Sequence, residues 1–124
     1  MTAYAYRRLP VSADEGFPQS FRMTVGAATY LVSLYVNVLD RSLLRSAQPL
    51  ELPRPGGFMV MAVSREAGGT PVPLFRRKLV LRHEYETSPL AFLFQEILVH
   101  PQNLNGAGAF GSRVVGGVAE RWAS

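Results

Sequence analysis

The sequence predicts an all-β domain, a compact sandwich or partly closed barrel of about seven or eight strands with at most one short helix. Three observations carry that expectation. The stretch Phe21 to Val38 alternates with period two along both arms of a hairpin, FRMTV and TYLVSLYVNV, about a Gly26-Ala27-Ala28 corner. Eleven Gly and nine Pro are spread through the chain, the punctuation of short strands joined by tight turns. At 124 residues the chain has the length of one domain, 1–124, able to bury roughly two thirds of its unfolded surface without covalent staples.

Each element follows from local chemistry. Residues 1–11 alternate weakly, with Tyr4 and Tyr6 on one side, and Pro10 confines them to an N-terminal arm or edge strand. Ser12 to Gln19 is turn chemistry, mixing Ser, Asp, Gly and Pro. In the first hairpin arm Phe21, Met23 and Val25 oppose Arg22 and Thr24. In the second, Tyr30, Val32, Leu34, Val36 and Val38 form one side and Leu31, Ser33, Tyr35 and Asn37 the other. Both sides of that second arm can be covered in part, which marks it as the central strand.

Residues 40–57 form a proline-rich insertion in which Asp40 can cap one or two helical turns that Pro49 ends. GFMVMAVS (57–64) is the next strand, EAGGT (66–70) a hairpin corner whose paired glycines can take positive φ, and PVPLFRRKLVL (71–81) a return broken at Pro73. Residues 88–100 read two ways: a helix capped at Ser88 with Pro89 in its first turn, or a strand through FQEILVH. The strand is favoured. Residues 103–111 are a loop, and 112–122 a last strand with a bulge at Gly116-Gly117.

Composition narrows the chemistry. Cysteine is absent, which excludes disulfides, thiolate metal sites and cysteine nucleophiles and suits a reducing compartment. The apolar runs stop well short of a bilayer span and the N-terminus lacks a signal-peptide core, so a soluble, unprocessed protein is expected. Thirteen Lys and Arg against nine Asp and Glu give a net charge of +4. Only Lys78 is a lysine. This permits an acidic partner without demanding nucleic acid, because Arg also serves protein interfaces.

No motif carries catalysis. Gly106 to Gly111 is formally GxGxxG, yet SRVVGGVAE after it is β-branched and glycine-broken where a dinucleotide site needs a helix. A strand through His83-Glu84-Tyr85-Glu86 puts the histidine and the two glutamates on opposite faces, so with His100 it makes no metal ligand set. Two His and two Asp, Asp14 and Asp40, sit in no hydrolytic pattern. The expectation is a protein that is not an enzyme and holds no cofactor or metal.

Three stretches resemble one family. Leu9-Pro10, Pro18-Gln19-Ser20-Phe21, Gly26 and Tyr30 follow the Ile/Leu-Pro start, the Gln-Ser/Thr-Phe step and the glycine-cornered hairpin of the phage baseplate plug proteins, small β proteins of contractile tails. Gly69-Thr70-Pro71 with Lys78-Leu79-Val80 resembles the family's Asp-Gly-Thr-Pro-Leu hairpin, and Phe110-Gly111-Ser112-Arg113-Val114 its closing strand. The long insertion at Arg41 to Pro55 and the Gly116-Gly117 pair depart from the pattern. The resemblance implies a structural virion component, plugging or adapting the tube and hub at the tail tip. Its partners would be copies of itself and the baseplate hub, spike and tail-tube proteins, with no membrane and no small-molecule substrate. It implies location in the virion, and in the host cytoplasm before assembly.

Two surfaces are expected to carry assembly: Leu43, Leu44, Leu50, Leu52 and Arg54 in the insertion, and Arg76, Arg77 and Arg82 on the basic hairpin. A loop leucine gains roughly 1.5–3 kcal/mol on full burial, and these, with apolar Phe92 to Phe94, exceed what a small domain readily covers. The competing reading packs the leucines on the chain's own sheet. The basic group Arg76, Arg77, Lys78 and Arg82, with Phe75 and Tyr85 nearby, supports an alternative function, an OB-like single-stranded nucleic-acid-binding domain.

Overall fold

Alternation and turn chemistry act first in the hairpin of β2 (Gln19–Val25) and β3 (Ala28–Val38). Gly26 closes it at φ 62°, a conformation that side-chain-bearing residues rarely adopt. The structure is a computed structural model and describes residues 6–87, 90–104 and 111–120. β3 pairs on its other side with β5 (Gly57–Ala67), which turns through Gly68 and Gly69, at φ 58° and 83°, into β6 (Thr70–Lys78). Positive φ at both turn residues matches the right-handed twist of the strands it joins. The resulting sheet has the order β2-β3-β5-β6, with β3 inside it as expected.

The second sheet is built on β8 (Leu90–Val99), which pairs along one side with β9 (Arg113–Glu120). On its other side lie β7 (Glu84–Thr87) and β4 (Leu50–Glu51), and the two-residue β1 (Arg7–Arg8) extends the sheet beyond β9. All pairings are antiparallel. The described residues thus form nine strands, more than the expected seven or eight because β1 and β4 are short pairings without a hydrophobic run of their own. Residues 90–99 are a strand, as favoured, and in the arm before Pro10 the described Arg7–Arg8 form an edge strand. Helical structure among the described residues is limited to 3-10 turns at Ala13–Glu15, Arg41–Arg45 and Pro101–Asn103. The expected bases of the Ser88-Pro89 cap and of the GxGxxG stretch lie outside the described residues, apart from Gly111.

The two sheets face one another as a sandwich. Tyr30, Val32, Leu34, Met59, Met61 and Val63 from one meet Phe92, Phe94, Ile97, Val114 and Val118 from the other, all buried. Tyr85 on β7 ties the layers together. Its hydroxyl donates to Lys78 O at 2.8 Å and accepts from Val80 N at 2.7 Å, so the end of β6 is held against the opposite sheet.

Two irregularities differ from expectation. The bulge expected at Gly116-Gly117 lies on the opposite strand: Phe94 pairs with Gly116 and Glu96 with Val115, leaving Gln95 unopposed. Gly116 is needed for a different reason, since a Cβ there would lie 2.5 Å from Phe94 Cε2. Likewise Pro73 does not break β6. Ser64 faces Pro73 and Val63 faces Phe75, so Leu74 bulges and the strand continues.

Candidate interaction face

The outward side of the four-stranded sheet gathers an aromatic and basic platform. Register sets Tyr35, Val60 and Lys78 in one row, Ser33, Ala62 and Arg76 in the next, and Asn37 beside Phe58. Arg76 lies over the Tyr35 ring with its guanidinium carbon 5.1 Å from the centroid, and Lys78 Nζ lies 4.9 Å from that of Phe58. Each such contact is worth about 0.5–1 kcal/mol at an exposed site and holds the cation where it is. These side chains roof Val60, which is 8 % exposed although it points away from the core. Leu39, just past the end of β3, is 74 % exposed. Outward charges on the four strands are Arg22, Arg76 and Lys78 against Glu66, and Arg22 Nε donates to Glu66 Oε1.

The expected contact residues are not brought together. Leu50 and Leu52 are core, 5 % and 0 % exposed, and so correct the expectation that they form a contact surface. Pairing of Leu50 with Val99, and the bond from Leu52 N to Ile97 O at 2.9 Å, draw this part of the insertion between the sheets. Leu43 is half-buried, packing with Leu52 over the space that a side chain at Gly57 would fill. Leu44 is exposed, and Arg54 is exposed with its backbone bridged to Gly57. Phe92 and Phe94 are fully buried, which corrects their reading as exposed apolar material.

On the basic arm, alternation splits the cations. Arg76 and Lys78 join the outer platform, whereas Arg77 points the other way, 5.6 Å from the Tyr85 ring centroid. Arg82 sits in the following turn at φ 59°, its N–H bonded to Phe94 O. Phe75 and Tyr85, the aromatics adjacent in sequence, face inward, Phe75 against Phe92. The aromatics that serve the platform are Tyr35 and Phe58. Their signal was the wet side of the alternating strands, which carries Tyr35 between Ser33 and Asn37.

The remaining candidates resolve into structure. His83 is exposed, edge-on to Tyr85, while His100 is buried at the far end of β8. His100 Nδ1 accepts from Gln102 N at 3.1 Å, which leaves Nε2–H to donate to Ala47 O at 3.1 Å and tether the insertion. Among the described residues no three His, Asp or Glu side chains are placed to hold a metal ion, and no helix is long and apolar enough to cross a membrane. Asn103, fully buried, ties the 3-10 turn after β8 to the N-terminal turn through Nδ2 to Ala13 O at 2.9 Å. A groove of 160 Å³ beside β1, walled by Tyr6, Arg8, Leu93 and Val115 over Gly117, is smaller than the roughly 300 Å³ at which ligand pockets begin.

Asp40 caps the insertion. Its carboxyl is held below the usual carboxylate range, chiefly by the Ser42 hydroxyl donating at 2.7 Å and then by the Ser42 amide at 3.0 Å, with a smaller contribution from the charge of Arg54. Compared with family models, curated proteins and solved structures, the chain matches none.

Proposed function

We propose that the chain is a non-catalytic structural component of a phage tail baseplate, plugging or adapting the tube and hub at the tail tip, and that the Tyr35–Lys78 platform is one of its contact faces. The observation that carries the reading is the ordered resemblance to the plug proteins. Its residues sit where a β fold needs them: Pro10 after the edge strand, Gln19 to Phe21 opening β2, Gly26 at the corner, and Gly69-Thr70-Pro71 at the turn into β6. The platform adds a physical reason for assembly, since half-buried aromatics flanked by fixed cations suit a surface that loses its water on docking. Partners on this reading are copies of the chain and hub, spike or tube proteins, in the virion. Mass spectrometry of purified tails, followed by reconstruction of the particle, tests it: the chain is expected at the tail tip, and its absence from complete tails overturns the proposal.

The same pairs favour a second reading, a single-stranded nucleic-acid platform, because Tyr35 and Phe58 offer rings beside cations. The two separate by salt. Nucleic-acid affinity falls steeply with ionic strength through counterion release, whereas a contact with an apolar centre persists.

A further inference from the structure

We propose that the outer face of the four-stranded sheet docks on the outer face of the five-stranded sheet of a second copy, head to tail. The inference rests on the reading of the Tyr35–Lys78 platform as a contact face, and it names what covers that face.

The argument is charge complementarity between opposite sides of one molecule. On the platform side three cations and one carboxylate leave +2. On the far side, register turns Glu84, Leu93, Gly117 and Arg8 outward in one row, Glu86 with Ala91 in another, Glu96 with Val115, and Glu51 with Leu98 and Arg113. Among the described residues, four carboxylates and two guanidiniums leave −2. Each face carries an ion pair of its own, Arg22 with Glu66 and Arg113 with Glu96. Exposed Arg76 and Lys78 on one side, and exposed Glu51 and Glu84 on the other, are then the charges offered to a partner.

Apolar ground accompanies them on both sides: Tyr35, Phe58 and Leu39 against Leu93, Leu98 and Val115, with the groove over Gly117 between. Four strands about 4.8 Å apart and some eight residues long present a face of roughly 19 by 26 Å, or about 1,000 Å² buried in total, the low end of specific interfaces. Association should therefore be weak, with the apolar ground keeping it from vanishing at high salt. The net charge of +4 opposes it only modestly, because like charges beyond a Debye length of about 8 Å are screened at physiological ionic strength. Since the two faces are on opposite sides of the sandwich, the contact is heterologous and repeats from copy to copy unless a rotation closes it into a ring.

Sedimentation velocity over a concentration series, with circular dichroism to verify folding, tests this with two variants. Arg76→Ser/Lys78→Ser disables one face and Glu51→Lys/Glu84→Lys the other. Wild type is expected to gain mass with concentration, and each variant to associate at least about tenfold more weakly. An equimolar mixture should form dimers and stop, because each variant retains the half that the other has lost. Variants that associate like wild type, or a mixture that stays monomeric, overturn the proposal. A wild type that remains monomeric yet binds poly-glutamate through Arg76 and Lys78 overturns the self-docking and leaves the contact-face reading standing. A monomeric wild type whose platform variant enters tails normally removes both.

Discussion

The insertion at 40–57 and the arm at 70–82 carry the same compositional signal, leucines and arginines among prolines, and the fold disposes of them in opposite ways. In the insertion Leu50 and Leu52 are drawn into the core through β4, which pairs with β8. In the arm Arg76 and Lys78 stand on the outside of β6, an edge strand. The difference lies in the neighbour and not in the residues: a two-residue pairing is enough to swallow apolar side chains beside it, and period two alone decides which cation faces out. Pro71 and Pro73, which lack an N–H, together with the bulge at Leu74, keep the free edge of β6 from pairing with other chains, so its outward face is what it offers.

That contrast is open to measurement. Leu52→Ala should destabilise the isolated protein by about 2–5 kcal/mol, lowering the melting temperature by about 10 °C or more, whereas Leu39→Ser on the exposed side should stay within about 0.5 kcal/mol. Equal effects in thermal melts would erase the distinction between the inward and outward leucines. Gly116→Ala should cost about 1–3 kcal/mol, since Phe94 must leave its place in the core, while Gly57→Ala, 3.3 Å from two leucine methyls that can shift, should cost less. Tyr85→Phe removes the hydroxyl that joins Lys78 O and Val80 N, and should cost about 1–2 kcal/mol with faster amide exchange at Val80. Unchanged exchange there would show that the end of β6 is fixed by packing alone.

Much of the architecture was legible because the long strands advertise themselves. β3 alternates over its whole length, and the Gly26 and Gly68-Gly69 corners announce their turns. What escaped was non-local. β4 is two residues wide and exists only because β8 is beside it, so the sequence left Leu50 and Leu52 open between a contact surface and the chain's own sheet, and the structure takes the second. The bulge at Gln95 answers a contact between Phe94 and Gly116 on different strands, and a reading of Gly116-Gly117 alone puts it on the wrong one. The platform was half visible. Its cations stood together in the sequence, but their aromatic partners come from β3 and β5, and the nearest aromatics in the chain turn inward, Tyr85 into the core and half-buried Phe75 against it.

The smallest expected effect concerns how the insertion is closed at its exposed end. Asp40 accepts from the hydroxyl and the amide of Ser42 and sits by Gly56, where a Cβ would lie 2.5 Å from its own Cβ, so it marks the point at which the insertion returns to the sheet. Because its folded pKa is lowered from the ordinary 3.8, its ionised form stabilises the fold fully above that value, and the contribution is lost as pH falls through the lower, folded value. Asp40→Asn keeps an acceptor for the Ser42 amide but removes the charge. The variant should therefore melt slightly below wild type at neutral pH, and the gap should close in strong acid once the wild-type carboxyl is protonated. A gap of constant size from neutral pH to well below 3.8 would show that Asp40 acts by shape alone, and that the insertion is held by Leu50 and Leu52 without help from its cap.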